Sequence, residues 1–255
     1  MSFSMVASHA VKKGTEPDGV FAIAALAKEA IARLGKDKVI NATIGAIYNE
    51  DEEFATLSAV EEFYRNLPST ELMDYAPIAG SAAFLQAAID QTFMGYQPDN
   101  TFVKAVATPG GTGAIRHVIY NYLENGQKLL VPDWFWGNYR IIANEHQREI
   151  DTYTMFDEQF NFITSSVKEK TDELLKTQNN LVIVFNTPAH NPTGYSMTVE
   201  EWADLIEFFT DRAKDKQKKI IILVDIAYID YAGRPEGTRS FMKLFTGLPE
   251  NILVT

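Results

Sequence analysis

The 255-residue sequence contains no cysteine. That excludes a disulfide framework, a thiolate nucleophile and any cysteine-ligated metal centre. It also suits a reducing compartment, and the expected location is the cytoplasm. No run of about 18 apolar residues occurs, so no membrane-spanning helix is expected. The opening MSFSMVASHAVKKG lacks the long apolar stretch of a secretory signal. Basic residues are outnumbered, with Lys plus Arg at 23 against Asp plus Glu at 34, a formal charge of -11. Such a chain repels a phosphate backbone, so a nucleic acid is not an expected partner. Histidine is scarce, and His9, His117 and His146 stand at no metal-ligand spacing; no metal is expected. No Gly-x-Ser-x-Gly occurs, so the strained turn that exposes a hydrolase serine is absent.

What remains is a globular composition, 46% hydrophobic and 22% charged. The sixteen Phe, eleven Tyr and three Trp say nothing by themselves about an aromatic substrate, because such side chains mostly fill cores. Residues 1 to about 18 look irregular. Apolar spacing predicts helices over 22–34 and 54–67, with Gly35 and Pro68 as stops. Residues 38–44 read as extended, and Asp51, Glu52 and Glu53 as a solvated helix start. Ser81 is placed to cap a helix running to about 94.

From there the pattern alternates. Strands are predicted over 102–107, 128–131, 149–155, 181–185 and 219–224, and a further one begins at 251. Helices are predicted over 112–123, 139–144, 167–175 and 198–214. The basic run at 214–219 reads as a solvated helix end. Apolar strands separated by helices imply a three-layer α/β/α fold with a mostly parallel sheet. Such sheets bind ligands beyond the C-terminal ends of their strands. The loops after Ala107, Val131, Phe185 and Val224 are therefore the candidate site.

Each loop has a distinctive composition. Thr108-Pro109-Gly110-Gly111-Thr112-Gly113 joins a predicted strand to a helix. It is either a phosphate cradle of open amides or simply a tight turn. It matches neither the Walker loop nor the dinucleotide fingerprint. Pro132-Asp133-Trp134-Phe135-Trp136-Gly137-Asn138-Tyr139 offers two indoles that could stack on a planar ligand or plug the core. In Asn186-Thr187-Pro188-Ala189-His190-Asn191-Pro192-Thr193-Gly194 two prolines flank His190 and Asn191, and Asn191 can donate to an anionic or phenolic oxygen. Asp225 follows an apolar strand directly, where a carboxylate needs a partner such as a protonated ring nitrogen; Tyr228 lies three residues on.

In this order the motifs resemble the fold type I pyridoxal-phosphate (PLP) enzymes, above all class I and II aminotransferases of the aspartate and aromatic kind. The resemblance runs from about 41 to 255. It implies PLP as cofactor, with Gly111, Thr112 and Gly113 holding its phosphate. It implies that Asn191 bonds the phenolic oxygen and supports the substrate carboxylate, that Asp225 pairs with the ring nitrogen, and that Tyr228 also reaches the phenolic oxygen. Trp136, in Trp136-Gly137-Asn138-Tyr139, resembles the family's Trp-x-Asn-His pattern and is the preferred stacking residue over Trp134. Tyr139 stands where that pattern has histidine. Gly45, within Asn41-Ala42-Thr43-Ile44-Gly45-Ala46, resembles the segment beside the substrate carboxylate. Tyr75 resembles the tyrosine that reaches the phosphate held by a neighbouring subunit, which implies a homodimer.

By the same resemblance, residues 1–53 are an arm and part of a small domain. Residues 54–255 are a cofactor-binding large domain, and the Schiff-base lysine is expected beyond Thr255. The implied activity moves an amino group between an L-amino acid, possibly aspartate or aromatic, and a 2-oxo acid, with Asp225 and Tyr228 as catalytic residues. The 255-residue chain alone is expected to be inactive. A PLP lyase or decarboxylase, a non-catalytic cofactor-binding domain and an α/β domain for a sugar or nucleotide are the alternatives.

Overall fold

A computed structural model describes residue 5 and residues 19–43, 45–51 and 53–255. The irregular stretch expected over residues 1–18 lies outside these, apart from Met5. The chain divides into two compact units, Met1–Tyr75 and Ala76–Thr255.

In the first unit, α1 spans Gly19–Leu34 and stops at Gly35, whose φ of 92° no residue with a Cβ adopts easily. The extended segment expected over 38–44 is not a strand among the described residues. A 3-10 turn at Lys36–Lys38 leads to Val39, which is extended but unpaired. Apolar residues without a ladder partner do not make a strand. Tyr48 and Phe54 form an isolated antiparallel bridge with edge-on rings. Between them Asn49 Oδ1 accepts from the amides of Asp51 and Glu53. Asp51 and Glu53 therefore lie in the connection between Tyr48 and Phe54, not at a helix start, and Glu52 lies outside the described residues. Two short helices follow, α2 at Ser58–Arg65 and α3 at Ser69–Leu72.

The second unit opens with α4, Ala82–Phe93, where Ser81 accepts from the Phe84 amide as the sequence suggests. The strand expected over 102–107 does not form. That segment makes one bond outside itself, from the Ala107 amide to the Ala79 carbonyl, and leaves Phe102 and Val106 exposed. The alternation then holds: α5 Gly110–Tyr122, β1 Lys128–Pro132, α6 Asn138–Glu145, β2 Glu149–Tyr153, α7 Thr164–Leu175, β3 Asn180–Asn186, α8 Val199–Arg212, β4 Lys219–Asp225 and β5 Ile252–Val254. A short α9 at Pro235–Arg239 and a 3-10 helix at Ser240–Phe245 have no counterpart in the sequence reading. Thr198 and Glu201 form a reciprocal capping box that fixes the start of α8.

The five strands are all parallel, in the order β2-β1-β3-β4-β5. Side-chain parity divides their residues between two cores. Leu130, Leu181, Ile183, Phe185, Ile220 and Ile222 meet α7, α8 and the 3-10 helix on one face. Leu129, Val131, Val182, Val184, Ile221 and Leu223 meet α5 and α6 on the other. Covering both faces explains the unbroken apolar runs Leu181–Phe185 within β3 and Ile220–Val224 within β4.

Candidate functional site

The sheet turns outward in opposite directions from its middle: β2 lies on one side of β1, and β3, β4 and β5 on the other. Such a reversal opens a crevice at the strand C-termini. The parity that places Ile221 and Leu223 on the α5–α6 face carries Asp225 to that face too. Likewise Asn186 continues the positions of Val182 and Val184.

At the start of α5, Gly110 has φ 67° and its amide bonds back to the Thr108 carbonyl. A Cβ at Gly113 would stand 2.7 Å from Pro109 Cδ, so the chain passes too closely for any other residue. Among the described residues, the amides of Gly111 and Thr112 have no acceptor. With the exposed hydroxyl of Thr112 beside them, they form the positive end of a thirteen-residue helix.

At the ends of β3 and β4, Asn186 acts as a clasp. Its Nδ2 donates to the Asp225 carbonyl at 2.8 Å, and its Oδ1 accepts from the Asn191 amide at 2.7 Å. The Thr187 amide also donates to the Asp225 carbonyl. Thr187–Pro188 and Asn191–Pro192 are both cis. His190 is buried, its Nδ1 paired with Thr193 Oγ1 at 2.9 Å. Burial pushes its pKa below the ordinary histidine value, against opposing pulls from the Trp134 carbonyl and Asp225. Asn191 Nδ2 donates to the Tyr228 hydroxyl at 3.3 Å, so the two present polar groups side by side.

The Asp225 carboxylate is held at both oxygens. Oδ1 accepts from the Ala227 amide at 3.2 Å, and Oδ2 accepts from the Tyr139 hydroxyl at 2.5 Å. Tyr139 is 1% exposed. Burial first, then the adjacent Asp225, push its phenol far above the ordinary tyrosine value, so it stays a donor. Trp136 meets the Tyr139 ring edge-on at 5.6 Å. Trp134 is 52% exposed, in a loop anchored by Asp133, which accepts from the Trp134 and Met155 amides.

Thus Asp225, Asn191, Tyr228 and Trp136 stand in one connected cluster, while Gly111, Thr112 and Gly113 open the helix on the same face of the sheet. Gly45 and Tyr75 belong to the first unit. Gly45 is exposed, with open space where a Cβ would stand, and the Tyr75 side chain is fully exposed. The residue readings overlooked two members of the cluster. Asn186 had a visible signal, a polar residue ending an apolar strand. Tyr139 had another, its place after the paired tryptophans.

The donor set is specific: two open amides with a hydroxyl for an anion, a fixed carboxylate for a cation, a paired amide and phenol for an oxygen, and an indole nearby. Among the described residues there is no cluster that could hold a metal ion, and no helix long and apolar enough to cross a membrane.

A profile of the family described as "Aminotransferase class I and II" matches residues 37–248. The chain belongs to that family. It is 28% identical over 223 residues to a mitochondrial aspartate aminotransferase of Dictyostelium discoideum, a match covering 84% of this chain and 50% of that one. It is 29% identical over 227 residues to an aromatic-amino-acid aminotransferase of Escherichia coli, covering 84% and 53%. A solved aminotransferase structure from Anaerococcus prevotii superposes with a TM-score of 0.94 at 36% identity, covering 99% of this chain and 61% of that one. This aminotransferase-family chain has the fold type I architecture, as the sequence motifs implied. It spans about half the length of the curated relatives it matches.

Proposed function

We propose that the chain is the cofactor-binding portion of a PLP-dependent aminotransferase that moves an amino group between an L-amino acid and a 2-oxo acid. The observation that carries this reading is the fixed Asp225 carboxylate beside the Asn191–Tyr228 pair at the ends of β3 and β4, on the face of the sheet covered by α5, whose first amides, Gly111 and Thr112, are open. That donor set suits the cofactor's three polar features: a protonatable ring nitrogen, a phenolic oxygen and a phosphate.

When bound, PLP supplies a carbonyl that condenses with the amino group and a conjugated ring that takes up the electron pair left when the α-proton departs. The protein's part is orientation and electrostatics. Gly111, Thr112 and Gly113 hold the phosphate through the helix terminus. Asp225 keeps a proton on the ring nitrogen, which makes the ring the stronger electron sink. Asn191 and Tyr228 donate to the phenolic oxygen, and Asn191 also supports the substrate carboxylate. Trp136 packs against the ring; its contact with Tyr139 favours it over the more exposed Trp134. Gly45 leaves room for the substrate carboxylate. Tyr75 completes the phosphate site of a second copy in a homodimer, and its exposure suits that role. Residues 54–255 act as the cofactor-binding domain and 1–53 as arm and small-domain segment. The preferred substrate is aspartate or an aromatic amino acid, following the names of the relatives. The cytoplasm is the proposed compartment, and cell fractionation tests it against the mitochondrial location that some relatives' names carry.

The test is binding of pyridoxamine 5'-phosphate, which needs no covalent anchor, followed by quench of tryptophan fluorescence. Saturable binding that falls at least tenfold in Asp225→Ala supports the reading. No binding by wild-type protein would sink it. In the full-length protein, an amino-acid product that appears only when a 2-oxo acid acceptor is added separates transamination from lyase or decarboxylase chemistry.

A further inference from the structure

We infer that Tyr139 is a positioning residue for Asp225: through its buried hydroxyl it orients the carboxylate toward the ring nitrogen of the cofactor and holds it there. The inference rests on the PLP reading and goes beyond it, because the sequence motifs assign Tyr139 no role.

The geometry is specific. Tyr139 lies in the second position of α6 and is a buried member of the α5–α6 core, the cluster that also holds Ile142, Val131 and Leu223. Trp136 closes its edge at 5.6 Å. A ring so confined has one direction for its hydroxyl, and that direction meets Asp225 Oδ2 at 2.5 Å. This is the distance of a hydrogen bond strengthened by charge on the acceptor. The bond joins residues 86 apart in sequence, tying the start of α6 to the end of β4.

Asp225 needs such a tie. It is the last residue of β4, where the ladder to Asn186 fixes the backbone but leaves the carboxylate rotamer free. The Ala227 amide fixes one oxygen. Tyr139 fixes the other from the side of the sheet on which Trp136 lies. Together they set the plane of the carboxylate while each oxygen keeps a lone pair for a further partner. Around this bond stand Tyr153 and Tyr228, which bear on the Tyr139 phenol, and the buried His190, which feels the Asp225 charge. Tyr139 donates to the carboxylate directly. Ordering the carboxylate in advance removes an entropic cost from cofactor binding.

Histidine in the family pattern could serve as donor at this place as well. A phenol differs in that it carries no positive charge, so it orients Asp225 without competing as a cation for it.

The test compares two ligands on the full-length protein: pyridoxamine 5'-phosphate and its analogue with CH in place of the ring nitrogen. Tyr139→Phe is expected to weaken the first by about tenfold, the loss of one hydrogen bond to a charged group, and the analogue by less than about twofold. Tyr139→His is expected to restore part of the selectivity. In an Asp225→Asn background the effect of Tyr139→Phe should shrink to nothing. Equal weakening of both ligands would mean that Tyr139 acts only through packing, and would overturn the inference. So would unchanged binding of both. Failure of the wild-type protein to bind either ligand would instead overturn the PLP reading, and the inference with it. If Tyr139→Phe does not fold, the selectivity of Tyr139→His in the two Asp225 backgrounds decides the matter, and no difference between backgrounds would overturn the inference.

Discussion

The two faces of the sheet are built from different residues. The face under α7 and α8 is aromatic: Trp202 stacks on Phe241 with centroids 5.0 Å apart and packs edge-on against Phe185 and Phe245. The face under α5 and α6 is aliphatic, with Leu129, Val131, Val182, Val184, Ile221 and Leu223, and Tyr139 is its buried aromatic. The candidate site grows from the aliphatic face, since Asp225 and Asn186 continue its parity and α5 and α6 supply the open amides and Tyr139. Large rings thus fill the structural face, where volume matters most. Branched aliphatic side chains line the other, the face from which the candidate site grows. The abundance of aromatic residues describes the core and not the substrate.

Trp202→Ala should break the aromatic face most severely. The indole is fully buried, and its loss should cost about 3–5 kcal/mol of stability. Denaturant unfolding measures the cost, and the protein that remains folded should bind pyridoxamine 5'-phosphate as before. Asp225→Ala should do the reverse in the full-length protein. Transamination should fall by roughly a hundredfold or more, with the unfolding midpoint little changed; near-normal turnover would remove Asp225 from the site. Thr198→Ala opens the capping box of α8, the helix that carries Trp202. A loss of about 1 kcal/mol is expected, again without effect on ligand affinity.

The smallest expected effect is one of pH. Burial lowers the pKa of His190 below its ordinary 6.5, so the folded state holds it neutral where the unfolded state takes up a proton. Its contribution is therefore fully present above about pH 6.5 and is lost as the pH falls through 6.5 toward the folded value. His146 is lowered as well, chiefly by desolvation and then by Arg116, and acts in the same direction. His190→Asn should flatten the loss of stability between pH 6.5 and 5, measured by urea unfolding. An unchanged slope would leave His146 as the titrating group.

The central strands were legible because burial on two faces writes a continuous apolar run, as in Leu181 to Phe185. Helix α8 was legible because Thr198 and Glu201 mark its start three residues apart. The stretch 102–107 has the same apolar look, yet a strand is a property of a pair, and the sequence of one segment does not show whether a partner exists. Helix α9 and the 3-10 helix at Ser240–Phe245 were too short to establish a period. In the site, Asp225, Asn191 and Tyr228 could be named because their motifs are local. The bonds of Asp225 to Tyr139 and Asn186 could not, since they join positions 86 and 39 apart and exist only once the strands are in register.

The edge of the sheet at β2 carries a consequence of its own. Among the described residues, β2 pairs only with β1. Its sequence, Glu149, Ile150, Asp151, Thr152 and Tyr153, alternates charge with bulk, and Asp151 is bridged to Lys128 at 3.5 Å. A strand from another molecule that approached this edge would have to desolvate those carboxylates to form its ladder. The polar edge therefore disfavours extension of the sheet by a second molecule at β2, the association from which fibrils grow.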